Sequence, residues 1–332
     1  MSEGRPLLGV TMGDPSGTGP EIAVKALIRD DVCAVCRSIV IGDAAVMRQA
    51  ARIVGAPVPV VAVESIEQAG HAGDSIEVLD LHNVNLDRLV FGKVDAMCGQ
   101  AAYECVVKAA ELALSGKVGA IVTSALHKEA MNLAGHDFPG HTELLAHLCG
   151  VKGTVMMLVA GTFRVSHVST HVSLRDAIDR VKKDRILHVT RLTVDAVRRM
   201  GVAEPRVALA GLNPHSGEGG MFGHEEELEI RPAAAEGLSE GMRLVGPIPP
   251  DTVFYRMKRG EYDAVVAMYH DQGHIPTKVL AFDEGVNVTL GLPIIRTSVD
   301  HGTAFGKAGK GTARPDSMIA ALKLAADMAR QR

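Results

Sequence analysis

Short β-branched apolar runs alternate with helical patterns along this chain. Leu7–Met12 (LLGVTM), Ser38–Ile41 (SIVI), Ala120–Thr123 (AIVT), Thr154–Val159, Phe163–Ser169, Arg206–Ala210 and Ala264–Met268 read as strands, Phe163–Ser169 with the alternation of a half-buried one. Helical spacing covers Val46–Val54, Gly99–Leu114, Arg185–Met200, Glu225–Glu236 and Met318–Arg330. Pro20-Glu21-Ile22 opens a helix after the first strand, because proline suits a first turn and a carboxylate complements the positive helix end. Ser173-Leu-Arg-Asp176 resembles a capping box, and Gly246–Pro250 reads as a loop. The alternation predicts an α/β fold of α/β/α layers around a largely parallel sheet. The 332 residues suit about two domains.

The polar signatures track the strand ends. Gly13-Asp14-Pro15-Ser16-Gly17-Thr18-Gly19 follows the first strand and Gly42-Asp43 the second. Ser124 and His127-Lys128, Thr170-His171, Asn213–Gly220 (NPHSGEGG) and Tyr269-His270-Asp271 each follow a later one. In open α/β sheets that carboxyl edge is where ligands bind. His171, His215 and His270 occupy equivalent positions just past strands. Three neutral imidazoles leave a metal open positions for substrate or water, although any one histidine alone is more often structural. Zinc suits imidazole best, and Mg, Mn or Co become acceptable if a hydroxy acid supplies oxygens.

Met268–Lys278 (MYHDQGHIPTK) imitates the helical H-E-x-x-H zinc site of metalloproteases. A strand precedes His270, Gly273 lies between the histidines and Pro276 follows, so a continuous helix is not expected, and His270 and His274 need not share a face. GDPSGTG is not G-x-G-x-x-G and no Walker motif occurs, which removes the Rossmann and P-loop readings. LNPHSGEGG and GDPSGTGPE either present backbone N–H groups to an anion or simply turn the chain.

Composition narrows the classes. A net charge of −4 and 3% aromatics without tryptophan argue against nucleic acid or an anionic membrane as partner. No apolar run reaches the ~18 residues of a membrane span, and MSEGRPLLGV lacks the features of a leader. Five cysteines, an odd number, fit a reduced, cytoplasmic protein. Cys33-Ala-Val-Cys36 has no second pair at zinc-ribbon spacing and reads as packing or surface thiols.

Several stretches together resemble the 4-hydroxythreonine-4-phosphate dehydrogenase family: Gly13–Ile22 (GDPSGTGPEI), Gly140–Glu143 (GHTE), Thr170-His171, Leu212–Gly220 (LNPHSGEGG), Pro250-Asp251-Thr252, Met268–Gly273 (MYHDQG) and Gly285–Thr303 (GVNVTLGLPIIRTSVDHGT). Ser16 and Thr18 stand where the family usually has alanine and a β-branched apolar residue. The resemblance covers nearly the whole chain. It implies an isocitrate/isopropylmalate-dehydrogenase-like fold of two α/β/α domains, with the active site in the interdomain cleft of a homodimer. Residues 1–125 plus 285–332 would form the nucleotide-side domain, and 126–284 the domain for metal, substrate and dimerisation.

The family's metal ligands fall on His171, His215 and His270, the third supplied by the neighbouring subunit. Its substrate contacts fall on His141, Thr142, Lys278, Asn287 and Arg296, where charged donors suit phosphate and carboxylate. NAD is expected along Asn287–Thr303, with Asn287, Asp300, His301, Gly302 and Thr303 as contacts, because Asp300–Gly309 (DHGTAFGKAG) resembles the nucleotide loop of isocitrate-type enzymes. His215 and Lys278 are the expected catalytic groups, Lys278 as proton shuttle or phosphate ligand; Asp251 and Asp271 either orient ligands or cap turns.

The implied reaction is NAD- and divalent-metal-dependent oxidation, with decarboxylation, of a 4-phosphorylated four-carbon 3-hydroxy acid. FRVSHVSTHVSL (Phe163–Leu174) with MYHDQGHIPTK favours D-threonate or D-erythronate 4-phosphate; the alternative is 4-phosphohydroxy-L-threonine, as in pyridoxal phosphate biosynthesis. A metal-dependent hydrolase or aldolase would use the histidines without NAD, and a binding protein would not need Lys278.

Overall fold

The computed structural model describes residues 4–70 and 74–331. Residues 1–3, part of the amino-terminal stretch read as leaderless, lie outside the described residues. The chain divides into two compact units, 4–152 with 292–330 and 153–291. In chain order the strands are β1 (Leu7–Thr11), β2 (Arg37–Gly42), β3 (Val60–Val63), β4 (Ile76–Asp80), β5 (Ala120–Thr123), β6 (Val155–Ala160), β7 (Phe163–His167), β8 (Arg206–Ala210), β9 (Arg243–Ile248), β10 (Ala264–Ala267), β11 (Val286–Leu290) and β12 (Arg296–Val299).

The first unit holds the order β3-β4-β2-β1-β5-β12, with all the pairs of β1, β2, β3, β4 and β5 parallel and β12 parallel to β5. β1 and β5 are buried almost throughout, which is why they read as continuous apolar runs rather than alternating ones. The long helix Ala96–Leu114 packs on β1, β2 and β5. Gly99 in that helix is where the helix Lys128–Leu133 crosses it: a Cβ there would lie 2.0 Å from the Ala130 carbonyl oxygen, so any side chain would drive the two helices apart. The next helix, His141–Leu148, also packs on Ala96–Leu114 and buries Leu144 and Leu145. Residues 126–152, assigned from sequence to the second domain, therefore belong with the first unit.

The second unit holds β11-β6-β7-β10-β8-β9. The pairs β7·β10, β10·β8 and β8·β9 are parallel, while β6 runs antiparallel to both β7 and β11. The helix Lys183–Arg199 covers this sheet with Ile186, Leu187, Val189, Val194 and Val197, each worth about 1.5–3 kcal/mol of burial.

Two local expectations are corrected. Gly246 and Pro247 lie in strand β9 rather than in a loop, and a helix Pro250–Lys258 follows. The pairing of β9 with β8 shifts register between Ala208 and Ala210, and Gly246 has φ 148° with its Cβ position 2.6 Å from the Leu209 carbonyl oxygen. Glycine and proline are tolerated there because the strand is irregular.

His270–Ala281 is an α-helix, contrary to the pattern argument. Gly273 does not break it. A Cβ at 273 would stand 2.4 Å from His167 Nε2 and 2.8 Å from Val165 Cγ1, so the glycine lets the helix rest directly on β7. Pro276 lies within the helix, and the neighbouring Thr277 hydroxyl donates to the Gly273 carbonyl at 2.8 Å. Among the described residues no helix is long and apolar enough to cross a membrane.

Candidate active site

In the second unit, β7, β10 and β8 lie side by side and parallel, so the loops after them emerge at one edge. Thr170-His171 follows β7, and His270 begins the helix after β10. Their rings stand 6.0 Å apart between centroids. Thr170, His171, Ser173, Tyr269, His270 and Asp271 line a cavity of about 520 Å³. His270 Nδ1 is 2.6 Å from Asp271 Oδ1. That bond fixes the ring and leaves Nε2 as the available ligand atom, the arrangement by which a carboxylate orients a metal-binding imidazole. Asp251 occupies the first turn of its helix and is exposed.

Behind this pair lie two further imidazoles. His274 stacks on His270 with centroids 3.6 Å apart, so the two share a face after all. His274 Nδ1 is 3.1 Å from both His167 Nε2 and the His270 carbonyl oxygen. His167 is buried, and burial foremost, then the neighbouring His274, pushes its pKa down to about 3. It is neutral at physiological pH. His274 thus turns towards the protein interior, which is not how the second histidine of a metalloprotease helix is used.

His215 lies on the loop after β8, in a run of left-handed residues: φ is 52° at His215, 55° at Ser216, 82° at Gly217, 44° at Glu218 and 64° at Gly219. Left-handed backbone costs roughly 1–2 kcal/mol at each non-glycine residue. Gln272 ties β8 to β10 at this edge, accepting from Met268 N at 2.6 Å and donating to the Gly211 carbonyl at 2.7 Å. His215 is exposed, with Phe222 6.3 Å from its ring. Among the described residues, no group of three or more His, Cys, Asp or Glu side chains is arranged to hold a metal ion. His171, His215 and His270 thus lie in segments that follow parallel strands at one sheet edge.

Lys278 lies in the same helix as His270, half-buried, with Nζ 5.4 Å from the Phe282 ring centre. Asn287 is in β11 opposite Leu158, and its Oδ1 is buried without a hydrogen-bond partner. That acceptor fits a ligand amide or hydroxyl.

In the first unit, Arg296 opens β12 and is 3% exposed. Its Nη2 and Nε donate to the Thr123 hydroxyl at 2.8 and 3.1 Å. Burial pushes its pKa down to about 9, against the attraction of Glu143, and the group remains a cation at neutral pH. His141 and Thr142 open the helix His141–Leu148. Burial first, and then the Arg296 charge, holds His141 well below the usual imidazole range, so it is neutral. A buried guanidinium beside a neutral imidazole is a donor set for an anion.

Asp300, His301, Gly302 and Thr303 follow β12. The Thr303 carbonyl accepts from Thr18 N at 3.0 Å and from its hydroxyl at 3.2 Å, which joins this loop to GDPSGTG. His127 stacks on Phe305, 4.8 Å between centroids. Asp14 is fully buried; Oδ1 accepts from Ser16 N and Oγ at 2.9 and 2.7 Å. All five cysteines are free, and burial raises Cys33 and takes Cys36 to about 12, which makes the C-x-x-C pair inert thiols.

Parallel α/β layers with chemistry at the strand ends place the chain in a class of two-unit α/β enzymes. A β-decarboxylating dehydrogenase from Thermococcus kodakarensis shares the fold at TM-score 0.52 and 13% identity, over 95% of this chain and 80% of that one. The family model described as "Pyridoxal phosphate biosynthetic protein PdxA" matches residues 34–325, and the chain belongs to that family. It is 47% identical over 333 residues, spanning all of both chains, to "D-threonate 4-phosphate dehydrogenase" of Cupriavidus necator. It is 44% identical over 339 residues, again all of both chains, to "4-hydroxythreonine-4-phosphate dehydrogenase" of Trichlorobacter lovleyi. A crystal structure of a 4-hydroxythreonine-4-phosphate dehydrogenase from Burkholderia phymatum matches at TM-score 0.88 and 46% identity over 98% of each chain. The chain is an oxidoreductase acting on a CH–OH group.

Proposed function

We propose that this protein oxidises a 4-phosphorylated four-carbon 3-hydroxy acid with NAD and a divalent metal, D-threonate or D-erythronate 4-phosphate being the favoured substrate. The observation that carries the reading is that His171, His215 and His270 all stand just past the parallel strands β7, β8 and β10 at one sheet edge, with Asp271 on His270 Nδ1. The donor set fits a metal of the Zn, Mg, Mn or Co type once a second copy of the chain brings its third imidazole to His171 and His215. The stripe Ile275, Val279 and Phe282, exposed by 60, 80 and 73%, supports a homodimer by offering an apolar face on the helix that starts at His270. Five free thiols support a reducing, cytoplasmic setting.

Bound metal would polarise the substrate hydroxyl, and NAD would take the hydride. His171 and His215 of one subunit with His270 of the partner subunit would hold the metal, and Asp271 keeps His270 in the ligating tautomer. Arg296, whose charge is felt by the neutral His141, binds the phosphate or carboxylate together with His141 and Thr142 at the start of their helix. In the first unit Asp300–Thr303 take the nucleotide, and in the second the buried Asn287 Oδ1 accepts from a ligand hydroxyl or amide. Oxidation would pass the hydride from carbon to NAD and the hydroxyl proton to Lys278; the β-keto acid would then lose CO₂, and Lys278 would return that proton to the resulting enolate carbon.

The full-length likeness to the Cupriavidus necator protein supports the sugar-acid substrate. The test follows NADH formation with D-threonate 4-phosphate, D-erythronate 4-phosphate and 4-phosphohydroxy-L-threonine offered separately. Turnover of a sugar-acid phosphate is expected; turnover of the amino acid alone would move the protein to pyridoxal phosphate synthesis.

A further inference from the structure

Glu226 is 1% exposed, and its carboxylate is turned onto the loop that carries His215. Oε1 accepts from the backbone N–H groups of Leu212 and Asn213, each at 2.7 Å. Oε2 accepts from Asn213 Nδ2 at 2.9 Å, and Glu225 Oε2 accepts from the same nitrogen at 2.7 Å. Gly217 closes over the group: a Cβ at 217 would stand 2.9 Å from Glu226 Oε2. The carboxylate thus fills the inside of the turn Leu212–Gly217. It starts a π-helical turn, Glu226–Ile230, a winding found disproportionately at functional sites.

The turn needs such a partner. His215, Ser216 and Glu218 all have positive φ, a conformation that persists only where the surroundings over-determine it. A buried carboxylate accepting two adjacent N–H groups supplies that constraint, because charge-assisted bonds are the strong ones.

We propose that Glu226 is a positioning residue for His215. It sets the register of Leu212–Gly217 and thereby the direction in which the imidazole is presented to a metal. The inference rests on the reading of His215 as a metal ligand. Burial keeps Glu226 itself out of the ligand set.

The experiment uses full-length Glu226→Asp and Glu226→Gln. Aspartate withdraws both oxygens by a methylene and loses both N–H bonds. Glutamine keeps one oxygen in place and partly rescues. Two readouts are taken: Co²⁺ affinity from the visible absorption of the ion, and amide hydrogen exchange of the metal-free protein. The expected result is at least about tenfold weaker Co²⁺ binding in Glu226→Asp, with a smaller loss in Glu226→Gln. Exchange should quicken at Leu212–Gly217 and stay unchanged in the core strands. Co²⁺ affinity within about twofold of the parent in either folded variant, or unchanged exchange in the loop, overturns the proposal. Should the aspartate variant not fold, the glutamine variant decides by the same criteria. A parent that takes up no Co²⁺ would refute the reading of His215 as a ligand, and with it the positioning role.

Discussion

At the strand ends of the second unit the proposed functional groups are imidazoles, half-buried or exposed, with one ring held by a carboxylate. In the first unit they are a guanidinium 3% exposed and a histidine kept neutral by burial beside it. Both units use the same device, parallel strands whose following loops gather at one edge. The chemistry differs in sign. Imidazole nitrogens suit a metal cation. A buried cation with N–H donors invites an anion, and the low dielectric around it strengthens that attraction.

Separate substitutions should break the two halves of this comparison in different kinetic parameters. The largest effect is expected from His171→Ala or His270→Ala, with kcat down about 1,000-fold, or roughly 4 kcal/mol of barrier. If sites are shared across a dimer, mixing the two inactive chains restores part of the activity; retention of near-parental kcat in either single variant would remove the histidines from the site. Next, Arg296→Ala should raise the substrate KM roughly 100-fold while changing kcat less, since charged hydrogen bonds to an anion are lost. Arg296→Lys should fall between, because a point charge replaces a fork. An unchanged KM in Arg296→Ala would take the anion away from this residue.

The smallest effect is on stability. His141 is held below the ordinary imidazole pKa of 6.5 in the folded state. The unfolded chain therefore binds a proton that the native protein refuses, so this contribution is present above pH ~6.5 and is lost as pH falls below it, by at most about 1.4 kcal/mol per pH unit. Melting temperatures at neutral and mildly acid pH, compared for the parent and His141→Asn, should show the variant less acid-sensitive. Equal pH slopes would contradict this.

Much of the frame was legible in the sequence. β5 and β8 fall on the expected residues, and the strand-end polar clusters led to His171, His215 and His270. What misled were residues whose meaning depends on distant contacts. Gly273 and Pro276 argue locally against a helix, yet Gly273 is there because β7 lies against it. Gly246 and Pro247 read as a loop and belong to a strand with a shifted register. β3, β4, β11 and β12 went unread; Arg296 opens β12, and Asn287 interrupts the apolar run of β11. Gln272 and Glu226 gave no local signal, because each acts on backbone groups of a loop distant in sequence. The domain border near 125 missed that Gly99 admits the helix Lys128–Leu133 into the first unit.

The central claim is hydride transfer to NAD dependent on a metal held by these histidines. Its most direct test is to strip the protein with a chelator, offer D-threonate 4-phosphate and NAD, and follow NADH absorbance as Zn, Mg, Mn or Co is returned. The account predicts no turnover in the stripped protein and recovery with added divalent metal. Full activity in the chelated, metal-free protein would contradict it.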